Sequence, residues 1–174
     1  EMLDEFAYLG SDKAEEVVIT NTNLIADMIE VMSPVRPDKC PPVIADSDKQ
    51  LTDICYNRAH ELYGETLPKI VEDRLEKELY SIISNGFAVM YIIAQKLVWK
   101  SVEDGYLVGS RGSVGSSFVA NMAGITEVNS LSPHYLCPKC HYYDFDSEEV
   151  RAYGGGAGCD MPDKNCPQCG TPLD

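Results

Sequence analysis

Basic residues are scarce in this chain. Its 174 residues include 14 lysines and arginines against 28 aspartates and glutamates, which gives a formal net charge of −14 at pH 7. Proteins that bind nucleic acid by themselves are usually basic, because contacts to phosphate dominate their affinity. If this chain works on nucleic acid, most of the binding to a duplex must therefore come from elsewhere in a larger protein. The simpler explanation is that an acidic balance keeps the domain soluble.

Long apolar runs and targeting signals are also missing. A membrane-spanning helix needs about 20 consecutive apolar residues, and the longest candidate, Phe87 to Trp99, is interrupted by Gln95 and Lys96. The sequence starts at Glu1 and has no basic and apolar secretory signal. We therefore expect a piece of a longer cytoplasmic protein that makes no membrane contact.

No catalytic set stands out among the reactive residue types. The chain has three histidines, and none is singled out as a partner for Cys40 or Cys55. The P-loop pattern Gly-x4-Gly-Lys-Ser/Thr and the dinucleotide fingerprint are both absent. Nucleotidyl transfer needs carboxylates that hold two Mg²⁺ ions, but the nearest Asp-x-Asp pair, Asp144 and Asp146, lies in a connection. We therefore predict no catalytic residue in this chain.

The first 130 residues are predicted to be rich in helix. We expect helix over residues 4–19, broken at Gly10 and Ser11, and a second helix through Glu30 that Asn21 or Asn23 caps. Four prolines make residues 33–48 an irregular connection. The short helices at this end are therefore expected to be separated from the rest of the chain.

Three longer helices are predicted to follow. The first begins at Ser47 or Asp48 and ends at Gly64, and the second spans residues 67–84 and stops at Asn85-Gly86. The third, residues 87–102, is apolar almost all round and is expected to be buried. We interpret the charged residues of the second helix as a solvated face with i,i+4 ion pairs: Glu72, Asp73, Arg74, Glu76, Lys77 and Glu78.

A glycine-serine loop follows these helices. It runs from Gly109 to Ser117 with the sequence GSRGSVGSS. We predict an apolar strand over residues 106–108 before it and a helix of small residues over 114–122 after it. Strand, glycine loop and helix form the context in which such a loop binds phosphate. From Asn129 onward we expect loops and short strands around the cysteines, with a mobile tip at residues 154–158.

The residue types of this loop suit a triphosphate. Backbone amides in a glycine-rich turn approach an anion closely because no Cβ intrudes, serine hydroxyls add donors, and Arg111 adds a fixed cation. The next helix would contribute a favourable dipole. The same small residues also suit a packing turn between a strand and a helix, and the pattern alone leaves both interpretations open. The candidate nucleotide-binding residues are Gly109, Ser110, Arg111, Gly112, Ser113, Gly115 and Ser116.

Four of the seven cysteines form two Cys-x-x-Cys hooks. They are Cys137 with Cys140, and Cys166 with Cys169. Four thiolates hold zinc tetrahedrally and leave no open position, so a zinc ion here would be structural. Two redox dithiols or free thiols are the alternative. The odd number of cysteines and the missing signal favour a reducing compartment.

A few other residues could supplement the hooks and the loop. Cys159 is the spare candidate ligand between the hooks, whereas His134 and His141 are expected to be surface or packing residues, because two complete hooks make them unnecessary. Trp99 and the ten tyrosines could stack bases, although most are expected to serve the core. The cations to consider beside the loop are Arg58, Lys96, Lys100 and Arg111.

Several phrases of the sequence resemble one protein family. The segment from Gly105 to Ala120, GYLVGSRGSVGSSFVA, and the run ITEVN at 125–129 resemble the palm of bacterial C-family replicative DNA polymerases. The four cysteines directly afterwards resemble the PolC type, the DNA polymerase III alpha subunit of low-GC Gram-positive bacteria. Shorter phrases of the same kind are MLDEF at 2–6, RLEKEL at 74–79, GFAV at 86–89 and MPDKNCPQCG at 161–170.

The resemblance implies an α+β fold and a role in DNA replication. It implies the first part of a palm resembling that of polymerase beta over residues 1–130, with a strand, the Gly/Ser loop and a helix, and a four-cysteine zinc knuckle over residues 131–174. The loop would bind the triphosphate of an incoming dNTP, and the cysteines would hold structural zinc. The parent protein would be a DNA-directed DNA polymerase that extends primed template DNA with a sliding clamp and other replisome proteins.

The chain departs from the family pattern in one respect. The family's metal-binding aspartates belong to a Pro-Asp-Ile-Asp type motif beyond the zinc region, and this sequence, which ends at Asp174, has no such motif. The chain alone is therefore expected to lack the ligands of the catalytic Mg²⁺ and to be inactive. Apolar surface that would meet missing palm strands is expected to favour a dimer. The alternative function is a non-enzymatic zinc-ribbon interaction module.

Overall fold

The computed structural model describes residues 1–35, 37–38 and 40–174. Its internal contacts divide the chain into two units, Glu1–Cys40 and Pro41–Asp174. The described residues are mostly helical and include a two-stranded sheet, which confirms the α+β class in its coarse form. The predicted boundary between residues 130 and 131 stays a prediction. The predicted connection over 33–48 includes Arg36 and Lys39, which lie outside the described residues.

The first unit consists of short helical segments. Gly10 has a φ of 84°, a value that favours glycine, and the predicted break lies there. The last helix of the unit ends at Asp27 rather than Glu30, and no asparagine caps it, because Thr20 before it is already helical. The segments are α1 (Met2–Glu5), a 3-10 turn (Ala7–Leu9), α2 (Ser11–Glu15), a π turn (Glu16–Thr20) and α3 (Asn21–Asp27).

Four helices form the core of the second unit. They are α4 (Ser47–Tyr63), α5 (Lys69–Ser84), α6 (Ala88–Glu103) and the short α7 (Phe118–Met122). The predicted stops after α4 and α5 are confirmed at Gly64 and Gly86, which have φ values of 89° and 72°. On each long helix the buried apolar residues recur every three or four positions and so share one face. Buried core residues include Leu51, Cys55, Ala59, Val71, Leu75, Leu79, Ile92, Phe118 and Val119.

The third long helix is less buried than its composition predicts. Ala88, Val89, Ile92 and Gln95 are buried on one face of α6. The opposite face carries apolar side chains in solvent, and Leu97 is 66% exposed. The prediction of a helix buried all round is wrong, because within the described residues α6 packs on one side only. The exposed apolar residues of α6 are Met90, Leu97, Trp99 and Val102.

The segment before the Gly/Ser loop is not a strand. Residues 106–108 have no regular secondary structure, and Leu107 is fully exposed. A strand requires a partner for its backbone groups, and no described segment pairs with these residues. After the loop, the predicted helix over 114–122 is divided into a 3-10 turn (Gly112–Ser116) and α7, because Ser117 between them is extended. The predicted strand is therefore wrong, and the helix starts later than predicted.

Short elements surround the cysteines, as predicted. Strands β1 (Tyr135–Leu136) and β2 (Tyr143–Asp144) pair antiparallel, with Tyr135 opposite Asp144. The C-terminal residue extends this pairing, because the amide of Leu136 donates to the carbonyl of Asp174 at 2.9 Å and the amide of Asp174 donates back at 2.8 Å. Helix α8 (Glu148–Ala152) and a 3-10 turn (Gly158–Asp160) lie in the connection between the hooks. The mobility of the glycine tip stays a prediction.

None of the described helices is by itself long and apolar enough to cross a bilayer. Helices α5 and α6 together reach the required length and composition, but the chain bends by 109° between them.

Candidate metal centre and nucleotide loop

The four hook cysteines converge on one point. Cys137 Sγ lies 3.5 Å from Cys169 Sγ, and Cys140 Sγ lies 3.5 Å from Cys166 Sγ. All four sulfurs lie within 4.8 Å of one another. Sulfurs bound at about 2.3 Å to one tetrahedral zinc ion lie roughly 3.8 Å apart. The arrangement therefore fits a zinc site with four thiolate ligands after modest adjustment, and each hook contributes one sulfur to each close pair.

The two hooks have the same backbone hydrogen bonds. The amides of Cys137 and Cys166 donate to Tyr142 and Thr171 at 2.7 and 2.8 Å. The residues directly after the second cysteines, His141 and Gly170, donate back to Cys137 and Cys166 at 3.1 and 2.9 Å. Both have positive φ, 61° and 74°. Each hook is therefore a complete knuckle whose sequence fixes its own turn.

Electrostatics of the sulfurs also favour a cation. The side-chain hydrogen bond with Thr171 lowers the pKa of Cys169 to about 6. At Cys140 the backbone hydrogen bond with Tyr142 lowers the pKa. Desolvation and the three neighbouring thiols raise it by more, so that the pKa is about 12. A positive ion among the sulfurs would therefore favour the thiolate form of Cys140.

The residues considered as substitute ligands lie outside this cluster. Among the described residues, the cysteine group is the one set of three or more potential ligands close enough to share a metal. Cys159 is exposed and does not belong to it. His141 Nδ1 donates to the carbonyl oxygen of Leu62 at 3.0 Å. The prediction that the histidines have packing roles is consistent with these positions.

An aromatic stack joins the metal-binding region to α4. The rings of His134 and Phe145 are stacked with centroids 4.2 Å apart, and Tyr63 of α4 packs beside both. The Tyr63 hydroxyl lies 3.0 Å from His134 Nε2, and His134 Nδ1 lies 2.8 Å from the carbonyl of Ser132. Burial lowers the pKa of His134, which favours the neutral ring in this stack. Together with the His141–Leu62 contact, it fixes the hooks against the end of α4.

The Gly/Ser loop begins extended and then makes one tight turn. Arg111 is extended, and Gly112 opens the 3-10 turn with a φ of 71°. Gly115 lies against the side chain of Val128, where a Cβ would meet it at 3.8 Å. This contact matches the packing-turn interpretation for one of the three predicted glycines. The remaining glycines of the loop, Gly109 and Gly112, face open space.

Most hydroxyl groups of the loop are already bonded within the protein. Ser110 donates to the Glu127 carboxylate at 2.9 Å and also bonds to the Thr126 hydroxyl. Ser116 donates to the carbonyl of Ser113 at 2.7 Å. Ser117 accepts from the amide of Ala120 at 3.1 Å and caps α7. These hydroxyls hold the loop in shape and are not free to donate to an anion.

Two side chains of the loop remain open. Arg111 and Ser113 are both exposed. Within the part of the chain that the structure describes, neither the Arg111 guanidinium nor the Ser113 hydroxyl has a hydrogen-bond or ion-pair partner. The loop therefore presents one cation and one hydroxyl at the start of the turn, on a backbone whose flanks are fixed.

A charged pair on α5 fixes the end of the loop. Arg74 and Glu78 bond to each other, and Arg74 also donates to the carbonyl of Ser116 at 2.9 Å. Glu78 Oε2 accepts from the Ser117 hydroxyl at 3.0 Å and from the Val119 amide at 3.1 Å. The predicted i,i+4 pairing is confirmed for Arg74 and Glu78, but the prediction of a solvated face is wrong at these two positions, because both residues also bind the loop. The phrase RLEKEL carried no local signal for them, because their partners lie about 40 residues away in sequence.

Glu78 is charged in this environment. Burial raises its pKa, but the hydrogen bonds from Arg74, from the amides of Val119 and Phe118, and from the Ser117 hydroxyl lower it more. The pKa therefore lies below the ordinary value. The carboxylate occupies the first amides of α7, so the dipole that we expected to serve a phosphate is instead used by Glu78.

Two of the other predicted cations form ion pairs with acidic residues close to them in sequence. Arg58 pairs with Glu61 at 2.6 Å, and Lys100 pairs with Asp104.

An open cavity of about 670 Å³ lies between α4 and α6. Trp99 lines it and packs on Gly124, where a Cβ would lie only 2.7 Å from the indole nitrogen. The lining residues are Ile54, Asn57, Arg58, Glu61, Trp99, Met122 and Gly124.

The Asp-x-Asp pair has a turn-forming role. Asp144 Oδ1 accepts from the amides of Asp146 and Ser147 at 3.1 and 2.9 Å. Burial raises the pKa of Asp144, but these hydrogen bonds lower it more. Asp146 lies 3.5 Å from the Arg151 guanidinium. The pair thus shapes the entry to α8, and its exclusion as a catalytic metal site stays a prediction.

Comparison with known proteins adds independent information. The family model described as the bacterial DNA polymerase III alpha NTPase domain matches residues 49–145. Over 174 residues the chain is 59% identical to "DNA polymerase III PolC-type" of Halalkalibacterium halodurans, which covers 99% of this chain and 12% of that protein. The PolC-type enzyme of Bacillus subtilis is 52% identical over 173 residues, again covering 99% of this chain and 12% of that protein. The chain thus spans about an eighth of the length of these relatives.

Proposed function

This chain belongs to the bacterial DNA polymerase III alpha family, of the PolC type, and from that premise we propose that it is one part of a DNA-directed DNA polymerase. Its role there is to bind the triphosphate of the incoming dNTP through the Gly/Ser loop. The observation that carries this proposal is that the Arg111 and Ser113 side chains are exposed and without a partner among the described residues, whereas the other hydroxyls of the loop are bonded within the protein.

The proposed contacts divide the loop residues into two groups. Arg111, with the backbone around Gly112 and the Ser113 hydroxyl, contacts the phosphate oxygens. Ser110 and Ser116 hold the loop, and Gly109 and Gly115 give it its path. In primer extension the 3′-hydroxyl attacks the α-phosphate and pyrophosphate leaves. Arg111 then neutralises negative charge that develops on the pyrophosphate, which is the electrostatic part of the catalysis.

The proposed cofactors have separate roles. Zinc held by Cys137, Cys140, Cys166 and Cys169 is structural, since four thiolates fill its coordination shell. Magnesium supplies the charge neutralisation at the reacting phosphates, and we place its ligands outside this chain because Asp144 and Asp146 serve a turn. The chain alone is therefore proposed to be inactive in primer extension.

The wider setting is proposed from the family. The parent polymerase acts in the cytoplasm on primed template DNA, with a sliding clamp and other replisome proteins. Residues 106–108 are apolar and exposed, and we propose that other parts of the parent cover them. Other parts of the parent also cover the exposed apolar face of α6. In the isolated chain this face would favour a dimer.

The test uses the full-length PolC-type polymerase that carries this chain. Arg111→Ala and Ser113→Ala should raise the dNTP KM or lower kcat, by about tenfold to a hundredfold for Arg111, while the affinity for primed template changes by less than about twofold. Lys49→Ala is the matched control, because Lys49 is an exposed cation of α4 that pairs with Asp53 and has no role in the loop. An equal loss of primer binding in Arg111→Ala would refute the assignment.

A second candidate function follows from the knuckles alone. A zinc-ribbon interaction module needs only the folded hooks, and their backbone bonding is complete without the Gly/Ser loop. For such a module, Arg111→Ala would leave the dNTP affinity of the full-length protein unchanged. A dithiol redox role is the weakest alternative, and unreactive thiols with zinc bound would remove it.

A further inference from the structure

Two side chains of α5 reach the Gly/Ser loop from outside it. Arg74 binds the carbonyl of Ser116 and Glu78 binds the hydroxyl of Ser117, so the pair holds both residues at the end of the loop. From this geometry we infer that Glu78, held by Arg74, is a positioning residue for dNTP binding. The inference rests on the function proposed above, because it gives Glu78 a role only if the loop binds nucleotide.

The loop has one anchor at each end. At its start, Ser110 is tied to Thr126 and Glu127. At its end, Glu78 and Arg74 hold Ser116, Ser117 and the first amides of α7. The stretch between the anchors contains the two open groups, on Arg111 and Ser113. Fixing both ends limits where those groups can lie before a nucleotide arrives.

The charge of the pair suits a neighbouring triphosphate. A lone carboxylate near the loop would repel phosphate, but Glu78 is bonded to the Arg74 guanidinium, so the pair adds little net charge. The Glu78 side chain is 17% exposed, which keeps water from competing for its hydrogen bonds. Because Glu78 already fills the first amides of α7, the nucleotide is directed to the other end of the turn, toward Arg111.

Positioning through Glu78 differs from a general role in stability. A general role would lower the amount of folded enzyme and so reduce kcat and DNA binding together. Positioning acts mainly through Arg111, so it should change the dNTP KM selectively and mainly while Arg111 is present. A displacement of about 1 Å in such groups can cost up to about a hundredfold in rate.

The experiment measures single-nucleotide primer extension by the full-length PolC-type polymerase. Glu78→Gln keeps the size of the side chain but turns one acceptor atom into a donor, which conflicts with either Arg74 or the amides of α7. We expect the dNTP KM to rise about tenfold and the primer-template Kd to change by less than about twofold. Glu76→Gln, at an exposed position on the same helix, should change neither value.

A milder variant and a double variant complete the test. Arg74→Lys keeps the charge but loses the fork that reaches both Glu78 and Ser116, so it should raise the KM by about threefold even if Glu78→Gln folds poorly. In an Arg111→Ala background, Glu78→Gln should add less than about twofold, because the group that it positions is gone.

The outcomes separate the inference from the proposed function. If Arg111→Ala raises the dNTP KM while Glu78→Gln and Arg74→Lys leave it unchanged, the inference is overturned and the function stands. An equal effect of Glu78→Gln with and without Arg111, or a matching loss of primer binding, also overturns the inference. If Arg111→Ala itself leaves the KM unchanged, the proposed function fails and the inference fails with it.

Discussion

The cysteine knuckles and the Gly/Ser loop are built in different ways. Each knuckle makes its turn with its own backbone, and the ligands, the turn and the hydrogen bonds all lie within six consecutive residues. The loop depends on distant groups, because Arg74 and Glu78 come from α5 and Thr126 and Glu127 come from the segment after α7. The structure of a site whose contacts are all local can be predicted from its sequence motif. The structure of a loop that depends on residues distant in sequence cannot.

The difference also concerns which groups remain open. The four sulfurs of the knuckles face one another, so the site is closed once a metal is bound. The loop keeps Arg111 and Ser113 exposed while its other hydroxyls are satisfied. A closed site suits a structural role, and an open cation beside an open hydroxyl suits ligand binding. This contrast supports assigning structure to the knuckles and nucleotide binding to the loop.

Metal removal should produce the largest difference between the two regions. Structural zinc in zinc-finger peptides contributes about 10–16 kcal/mol of apparent binding free energy, so chelation or Cys166→Ser should unfold residues 131–174. Helices α4 to α7 have their own core and should stay folded. Hydrogen exchange with and without chelator measures this, with metal analysis expected to give one zinc per chain.

The outcome at the aromatic stack decides how separate the two regions are. If chelation also exposes the amides of α5 and α7, the knuckles support the whole second unit through Tyr63 and His134, and the view of a self-contained site is wrong. Cys159→Ser is the matched control, because that cysteine is exposed and lies outside the cluster. It should leave both the zinc content and the exchange pattern unchanged.

How far the sequence predicts each region follows from the same contrast. The ends of α4 and α5 are encoded by residues close together in the chain, Gly64 and Gly86, and these predictions are confirmed. The hooks are also encoded locally, and their four sulfurs come together, whereas the zinc ion stays a prediction. The strand over 106–108 was wrong because strand formation needs a partner segment. The role of Glu78 was missed because its acceptor contacts cross about 40 residues, and an i,i+4 pair with Arg74 looks the same in a solvated helix.

The two knuckles can be compared by substituting the turn residue that has positive φ in each of them. Gly170→Ala places a side chain at a φ of 74° in open space, so only the left-handed backbone opposes it, at a cost of about 1–2 kcal/mol. His141→Gly relieves a similar strain but loses the contact with Leu62, worth about 1 kcal/mol. We expect thermal unfolding of the zinc-bound chain to show a clear loss for Gly170→Ala and little change for His141→Gly. A larger loss for His141→Gly would show that the Leu62 contact dominates.

The cap at the end of the loop should have a smaller effect. Ser117→Ala removes the cap of α7 and one contact of Glu78, and losing a serine cap costs about 1 kcal/mol. Ser116→Ala removes an exposed bond within the loop and should cost only about 0.3 kcal/mol. Urea unfolding of the two variants gives both values. Equal losses would mean that the external anchor adds nothing to the loop's own bonds.

The smallest expected effect is the response of the external anchor to acid. The pKa of Glu78 is lowered in the folded chain, so its contribution to the free energy of unfolding is fully present above the ordinary glutamate pKa of about 4.3. It is lost as the pH falls through the lower folded value. The part that titrates should be at most about 1 kcal/mol, because the Arg74 pair lies near the surface.

Two variants isolate the titration of this carboxylate from that of the other acidic groups. The difference in unfolding free energy between wild type and Glu78→Gln should stay constant from about pH 7 to about pH 5 and shrink below that. Titration of groups that both proteins share affects them equally and cancels in the difference. The same difference for Glu76→Gln, whose side chain is exposed, should stay near zero throughout. A Glu78 difference that does not change with pH would mean that the anchor works through its shape and not through its charge.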